Sequence, residues 1–333
     1  MSGASDEAGR PPGPDTQATG SRESTSAGKL PLVAIVGPTA AGKSALAMEL
    51  ALDANAEVVS VDSRQIFRQL DIGTAKPTRE MCRQVPHHLI DVVDPDEAYD
   101  AGRFAREASV AIREIRSRGR APLLCGGSGL YLRALVEGMA ELPEVDPLLR
   151  EQLQDEAEAR GDAEMHDELT ALDPEMAARL AVGDRRRVLR GLEVYRQTGR
   201  PLSLWQAEHA RRPRPFEVLT IVLSPPTDVL AQRIQTRTEE MWAQGLVAET
   251  RAVLDHGFAG DLPALQSIGY REVQQYLDGD CTPEEAREAI VRASRQYAKR
   301  QRTWFRGVSD AHWLDEPRWP RPLRERVLGC LQG

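Results

Sequence analysis

The stretch Gly37-Pro38-Thr39-Ala40-Ala41-Gly42-Lys43-Ser44 fits the spacing G-x-x-x-x-G-K-[ST], the pattern of a loop that cradles phosphates. Its glycines let backbone N–H groups turn toward phosphate oxygens, and a helix opening at Lys43 would add positive potential. Lys43 can neutralise phosphate charge, and the Ser44 hydroxyl can ligate or orient Mg²⁺. Chance would place these residue types at this spacing in roughly one such chain in a hundred. The alternative is a tight strand-to-helix turn with no ligand. Hydrolytic machinery is absent from its usual place, because the later apolar run "PLLC" ends in Gly126-Gly127-Ser128 with no acid. The acid at a strand end is instead Asp62, closing "AEVVSVD". A carboxylate there suits a base acting on an acceptor better than one driving ATP turnover, although it could merely cap a following helix.

The elements that must hold these residues follow from hydrophobic patterning. "LPLVAIV" is a short β-branched run typical of a strand buried on both faces, and "SALAMELAL" after the loop reads as a helix. A strand at "AEVVSV", a helix over Arg103 to Ser117, a strand at "APLLCGG" and a helix opening near Ser128 continue the alternation. Such alternation implies parallel β-α-β units, hence an α/β fold with a P-loop-type parallel sheet flanked by helices. In a doubly wound sheet the strand C-termini share one crevice, so Asp62 should face the phosphates held by the loop.

From Glu141 to Glu175 the character changes to thirteen acidic residues against Arg150 and Arg160, with helical spacing and no strand signal. We read 141–208 as a helical insertion in a core of 30–140 and 209–333, which resumes at "FEVLTIVLS" (Phe216 to Ser224). Mostly helical sequence follows to about Trp304, with a last strand at "AHWL". Residues 1–29 carry Gly, Pro, Ser, Thr and Ala with no large apolar residue after Met1, the composition of a disordered tail.

Composition narrows the class. The 333 residues are 41% hydrophobic and 28% charged, ordinary globular usage with ample core. No apolar run reaches the roughly 18 residues a bilayer demands, and the N-terminus lacks a secretory h-region. The expectation is therefore a cytoplasmic protein with no membrane partner. Cys82, Cys125, Cys281 and Cys330 are far apart without C-x-x-C spacing, which points to free thiols rather than a disulfide framework or zinc site.

The net charge of −8 weakly opposes a nucleic-acid partner, yet the charge is uneven. Ala289 to Ser309 holds no acid, and Arg292, Arg295, Lys299, Arg302 and Arg306 fall on one helical face. Ala286, Ile290, Ala293, Tyr297 and Trp304 lie on a neighbouring face and should turn toward the core. Like charges at this spacing repel, so the stripe favours a polyanion contact over a merely solvated face. Arg185-Arg186-Arg187 with Arg190, and Arg211, Arg212 and Arg214, add two clusters suited to gripping RNA locally.

Together "GPTAAGKS", "VVSVDSRQIFRQLDIGTAKP", "PHHLIDVVDP", "PLLCGGSGLYLRAL", "QSIGYRE" and "AKRQRTWFR" resemble the tRNA dimethylallyltransferases (tRNA isopentenyltransferases) from about Leu32 to Asp315. The resemblance implies transfer of a five-carbon group from dimethylallyl diphosphate to the exocyclic amine of the adenine on the 3′ side of the anticodon. Mg²⁺ would be required. It further implies that Asp62 is the base, and that Thr39, Lys43 and Arg237 act at the reacting centre. Gly37 to Ser44 would bind the diphosphate, with Ser44 at Mg²⁺. The tRNA anticodon stem-loop would contact Asp62, Ser63, Arg64, Gln65, Gly129, Arg186, Arg187, Arg190, Gln266, Gly269, Tyr270, Arg271, Lys299 and Arg302. An adenine in a stacked loop cannot reach a buried diphosphate, so it would be flipped into a channel. Each of these residues also has a local alternative: turn chemistry for Thr39 and the glycines, a surface arginine at Arg237, solvated helices elsewhere. The competing readings are a P-loop small-molecule kinase, an adenine-nucleotide prenyltransferase, or a non-catalytic RNA-binding protein. A large partner favours a monomer.

Overall fold

The computed structural model describes residues 30–144, 146–212 and 214–332; the expected tail at 1–29 lies outside them. Six strands form one sheet: β1 (Leu30–Val36), β2 (Ala56–Val61), β3 (His87–His88), β4 (Ala121–Gly126), β5 (Phe216–Leu223) and β6 (His312–Leu314). All neighbours are parallel, in the order β3-β2-β4-β1-β5-β6. The strands are nearly unbroken apolar runs because both faces are covered. Val33 and Ile35 point to one face, beside Leu46 and Leu50 of helix Lys43–Ala54. Leu32, Ala34 and Val36 point to the other, beside Phe104, Ile112 and Ile115 of helix Ala101–Ser117.

β1 lies between β4 and β5, while the chain leaving it continues to β2 on the far side of β4. This order opens a crevice at the strand C-termini, and the loop Gly37–Gly42 sits in it, as the alternation predicted. Beside the crevice a separate core forms from Ile66, Phe67, Leu70, Leu246, Leu265 and Tyr270, carried by the segment after β2, helices Leu246–Asp255 and Tyr270–Leu277, and the turns between those helices. A further cluster contains Leu153, Met165, Leu169, Met176, Val188 and Leu192. It joins helix Pro147–Leu172, kinked at Gly161 (φ 83°), to helix Arg185–Thr198.

Two elements differ from expectation. A final helix, Arg321–Gln332, to which the sequence reading assigned no element, packs Val327 into the core shared with Leu314 and Ile35. Trp304, expected to turn inward on helix Pro283–Phe305, is 38% exposed, whereas Ala286 and Ile290 on the same face are buried.

Candidate active site

Gly37 has φ 143°, and a Cβ there would stand 2.1 Å from the Leu223 carbonyl oxygen, so the loop can run against β5 only with glycine. Lys43 opens the next helix and its ammonium donates to the Pro38 carbonyl at 2.7 Å, folding back over the loop. Burial pulls the Lys43 pKa down to about 8, and the Arg237 guanidinium adds to this, while Cys125 and Asp62 oppose it. Arg237, on helix Thr227–Ala243, reaches the Thr39 hydroxyl at 3.3 Å, and burial lowers its pKa also.

Asp62 follows β2, and one of its carboxylate oxygens accepts the Arg64 N–H at 2.8 Å. No helix follows until Arg79, so the capping alternative fails and the carboxylate instead holds a turn at the crevice. The turn is braced on every side. Ser63 N–H donates to the Ser128 hydroxyl at 2.9 Å, and Arg64 donates to the Pro263 carbonyl at 2.8 Å. Gln65 accepts from Ser60 at 2.9 Å and donates to the Ala75 carbonyl at 3.1 Å.

One cavity of about 510 Å³ unites these parts. Thr39, Ala40, Lys43, Ser44, Asp62, Ser63, Arg64, Gln65, Arg237, Gln266, Gly269 and Arg271 all line it. Arg300 and Gln301, given no role in the sequence reading, line it too, and so does Tyr297, which was expected to turn toward the core. Arg233 was also missed; it donates to the Ala41 carbonyl at 2.8 Å and steadies the loop from helix Thr227–Ala243. The available signal for Gln301 was a polar residue at an inward position, between the buried Ala298 and Phe305.

Other expected contacts lie elsewhere. Tyr270 is 0% exposed, with its hydroxyl donating to Glu249 at 2.6 Å and accepting from Gly73 N–H at 3.1 Å. The expectation that Tyr270 touches RNA is corrected: it shapes the wall through Glu249, which also accepts from Ile72 N–H at 2.9 Å. Gly129 makes room for the Trp304 indole, whose Nε1 would stand 2.0 Å from a Cβ there. Arg186, Arg187 and Arg190 belong to helix Arg185–Thr198 and do not line the cavity. Arg187 pairs with Asp184 at 3.2 Å and Arg190 with Glu193 at 2.6 Å, while Arg186 stays exposed. Lys299 and Arg302 are also outside the cavity; Lys299 is exposed and Arg302 donates to the Thr227 hydroxyl at 2.8 Å.

Among the described residues no group of three or more His, Cys, Asp or Glu could hold a metal by itself. The donor set suits Mg²⁺ nonetheless, since Mg²⁺ is commonly held by one or two protein oxygens together with substrate phosphates and water. The exposed Ser44 hydroxyl in the first helical turn is such an oxygen. No helix among the described residues is long and apolar enough to cross a membrane.

A parallel sheet with a phosphate-cradling loop after its first strand, and a carboxylate and an arginine lining the same cavity, defines a P-loop-type core, and the comparisons with known proteins give its class as a transferase. The IPP transferase family model matches residues 65–308. A tRNA dimethylallyltransferase of Geobacter sulfurreducens is 46% identical over 289 residues, covering 87% of this chain and 93% of the relative. One from Stenotrophomonas maltophilia is 44% identical over 306 residues, covering 90% and 95%. The crystal structure of a tRNA isopentenylpyrophosphate transferase from Bacillus halodurans matches with TM-score 0.66 and 38% identity, covering 91% of this chain and 97% of that one. A eukaryotic dimethylallyltransferase captured acting on tRNA matches with TM-score 0.71 and 29% identity, over 83% and 69%. The chain belongs to the IPP transferase family.

Proposed function

We propose that this protein transfers the dimethylallyl group of dimethylallyl diphosphate to the exocyclic amine of the adenine 3′-adjacent to the anticodon of tRNA, releasing diphosphate. The observation that carries the reading is the convergence of Thr39, Lys43, Asp62 and Arg237 on one cavity. In the reaction the amine nitrogen bonds to the allylic carbon as the C–O bond to diphosphate breaks, and the bonding pair leaves with the diphosphate. Negative charge grows on the leaving group, where Lys43, Arg237 and the loop amides stabilise it. Asp62 takes the proton the amine must lose. Thr39, whose hydroxyl accepts from Arg237 at 3.3 Å, orients the reacting groups. The Ser44 hydroxyl would help hold Mg²⁺, which would supply further charge neutralisation at the leaving group.

The flipped adenine enters past Ser63, Arg64 and Gln65, and Gln266, Gly269 and Arg271 line the same cavity. The basic face of helix Pro283–Phe305 and Arg186 grip the surrounding stem-loop. We read 141–208 as an RNA-contacting insertion on a catalytic core formed by 30–140 and 209–333. The protein acts as a monomer in the cytoplasm.

The test is incubation with labelled dimethylallyl diphosphate, bulk tRNA and ATP. Label should enter tRNA. Label in free adenine nucleotides, or ATP turnover alone, would select one of the competing enzymes. Asp62→Ala should keep tRNA affinity while turnover drops about 10²- to 10⁴-fold, the usual span for a lost general base. Near-normal turnover would remove Asp62 from that role.

A further inference from the structure

We propose that Gln301 is a positioning residue for the transfer, clamping the phosphate loop to the turn after β4 so that Thr39 is fixed before substrates arrive. The proposal rests on the transferase reading above. Its starting point is an anomaly in the loop. Backbone N–H groups of a phosphate-cradling loop are there to meet phosphate oxygens. The Thr39 N–H instead donates to Oε1 of Gln301 at 2.8 Å. That amide is spent on the protein, so its purpose is to set the loop's shape rather than to hold the ligand.

The same carboxamide is used from its other end. Gln301 Nε2 donates to the Gly127 carbonyl at 3.0 Å, in a side chain only 6% exposed. A primary carboxamide offers an acceptor and donors from one planar group, so it bridges an N–H on one loop and a C=O on another. Glutamate would keep the acceptor and lose the donor, and methionine would lose both. Gly127 is shaped to this purpose, because a Cβ there would stand 2.3 Å from Gln301 Nε2.

Thr39 is therefore held at both ends, its amide by Gln301 and its hydroxyl by Arg237 at 3.3 Å. The two clamps come from different helices, Pro283–Phe305 and Thr227–Ala243. Gln301 follows Tyr297 by about one helical turn, and both line the cavity with Arg300. The helix that carries the exposed cations thus inserts one neutral side chain into the phosphate loop. Without it the part-buried Thr39 amide would lose its partner and the loop would relax around a misplaced hydroxyl.

The experiment is single-turnover transfer by the full-length protein, with saturating dimethylallyl diphosphate and tRNA, on wild type, Gln301→Met, Gln301→Glu and Gly127→Ala. Misplacing a reacting group by about an ångström costs roughly 100-fold in rate. Gln301→Met should lose about that much in single-turnover rate constant, with full product amplitude and with donor and tRNA affinities within about threefold of wild type. Gln301→Glu, which still accepts from Thr39, should fall between Gln301→Met and wild type. Gly127→Ala displaces the carboxamide without touching Thr39 and should slow the step as well. A Gln301→Met rate close to wild type overturns the proposal. So does a reduced amplitude at unchanged rate, since that is loss of folded enzyme. If Gln301→Met does not fold, the rates of Gln301→Glu and Gly127→Ala decide by the same criteria. Failure of wild type to label tRNA would sink the transferase reading itself, which separates the two failures.

Discussion

Lys43 carries a charge that suits the proposed diphosphate and that burial disfavours. Its pKa is lowered to about 8 by desolvation, with Arg237 adding repulsion and Asp62 only partly compensating. In the donor-free protein Lys43 therefore discharges as pH rises through about 8, and binding a diphosphate must recover that proton. Donor affinity should be flat below about pH 7 and weaken about tenfold per pH unit above pH 8. Titrating dimethylallyl diphosphate into tRNA-free protein from about pH 6.5 to 9.5 checks this. Lys43→Arg, charged throughout, should flatten the profile; a flat wild-type profile would show that Lys43 stays charged without its ligand. The linkage to folding has the opposite direction. A lysine with a depressed folded pKa binds fewer protons folded than unfolded, so its contribution to stability rises from about pH 8 toward its unfolded value of 10.5.

Helix Pro283–Phe305 shows how far a periodic pattern can be read and where it stops. The stripe was legible because spacing alone puts its cations on one face, and Arg292, Arg295, Lys299 and Arg306 are all exposed. Their bonding was not legible: Arg292 pairs with Glu288 at 3.4 Å and Arg302 donates to Thr227. Lys299 and Arg306 have no ion pair among the described residues, which leaves them free for phosphate. Replacing both by Ala should weaken tRNA binding and lower the slope of log affinity against log salt by about 1.4–1.8, two contacts at the usual weight. An unchanged slope would make the face merely solvated. The strands and the phosphate loop were legible for a related reason, since buried β-branched runs and backbone-driven turns are local in sequence. Gln301 reaches Thr39 across 262 positions, a partnership no window of sequence contains. Tyr270 misled because its neighbours Gly269 and Arg271 line the cavity, while the helix starting there turns its own ring into the core beside Leu246 and Val273. The two-residue β3 is too short for any alternation to register.

At the scale of the whole molecule, the question is whether the catalytic core depends on 141–208. The cluster around Leu153, Met165, Leu169, Val188 and Leu192 is filled by residues from within that segment and from its margins. The two chain crossings into it lie side by side. Glu137 pairs with Arg214 at 3.3 Å, and His209 Nε2 meets the Glu137 carbonyl oxygen at 2.9 Å. Arg212 pairs with Glu141 at 3.3 Å at the same root. Ends this close can be joined by a short linker, because closing a loop costs little more entropy for a longer loop than for a shorter one. No side chain of 141–208 lines the cavity that holds Lys43 and Asp62. A variant with 141–208 replaced by a short Gly/Ser linker should therefore fold cooperatively and bind dimethylallyl diphosphate within about threefold of the full chain, since its phosphate loop is untouched. Its tRNA affinity should fall by at least about tenfold and its salt dependence should shrink, because Arg186 and its neighbours leave with the segment. Thermal melting, donor titration and tRNA binding at two salt concentrations separate the outcomes. Lost donor binding would mean that the insertion supports the core, and unchanged tRNA binding would remove it from the RNA interface.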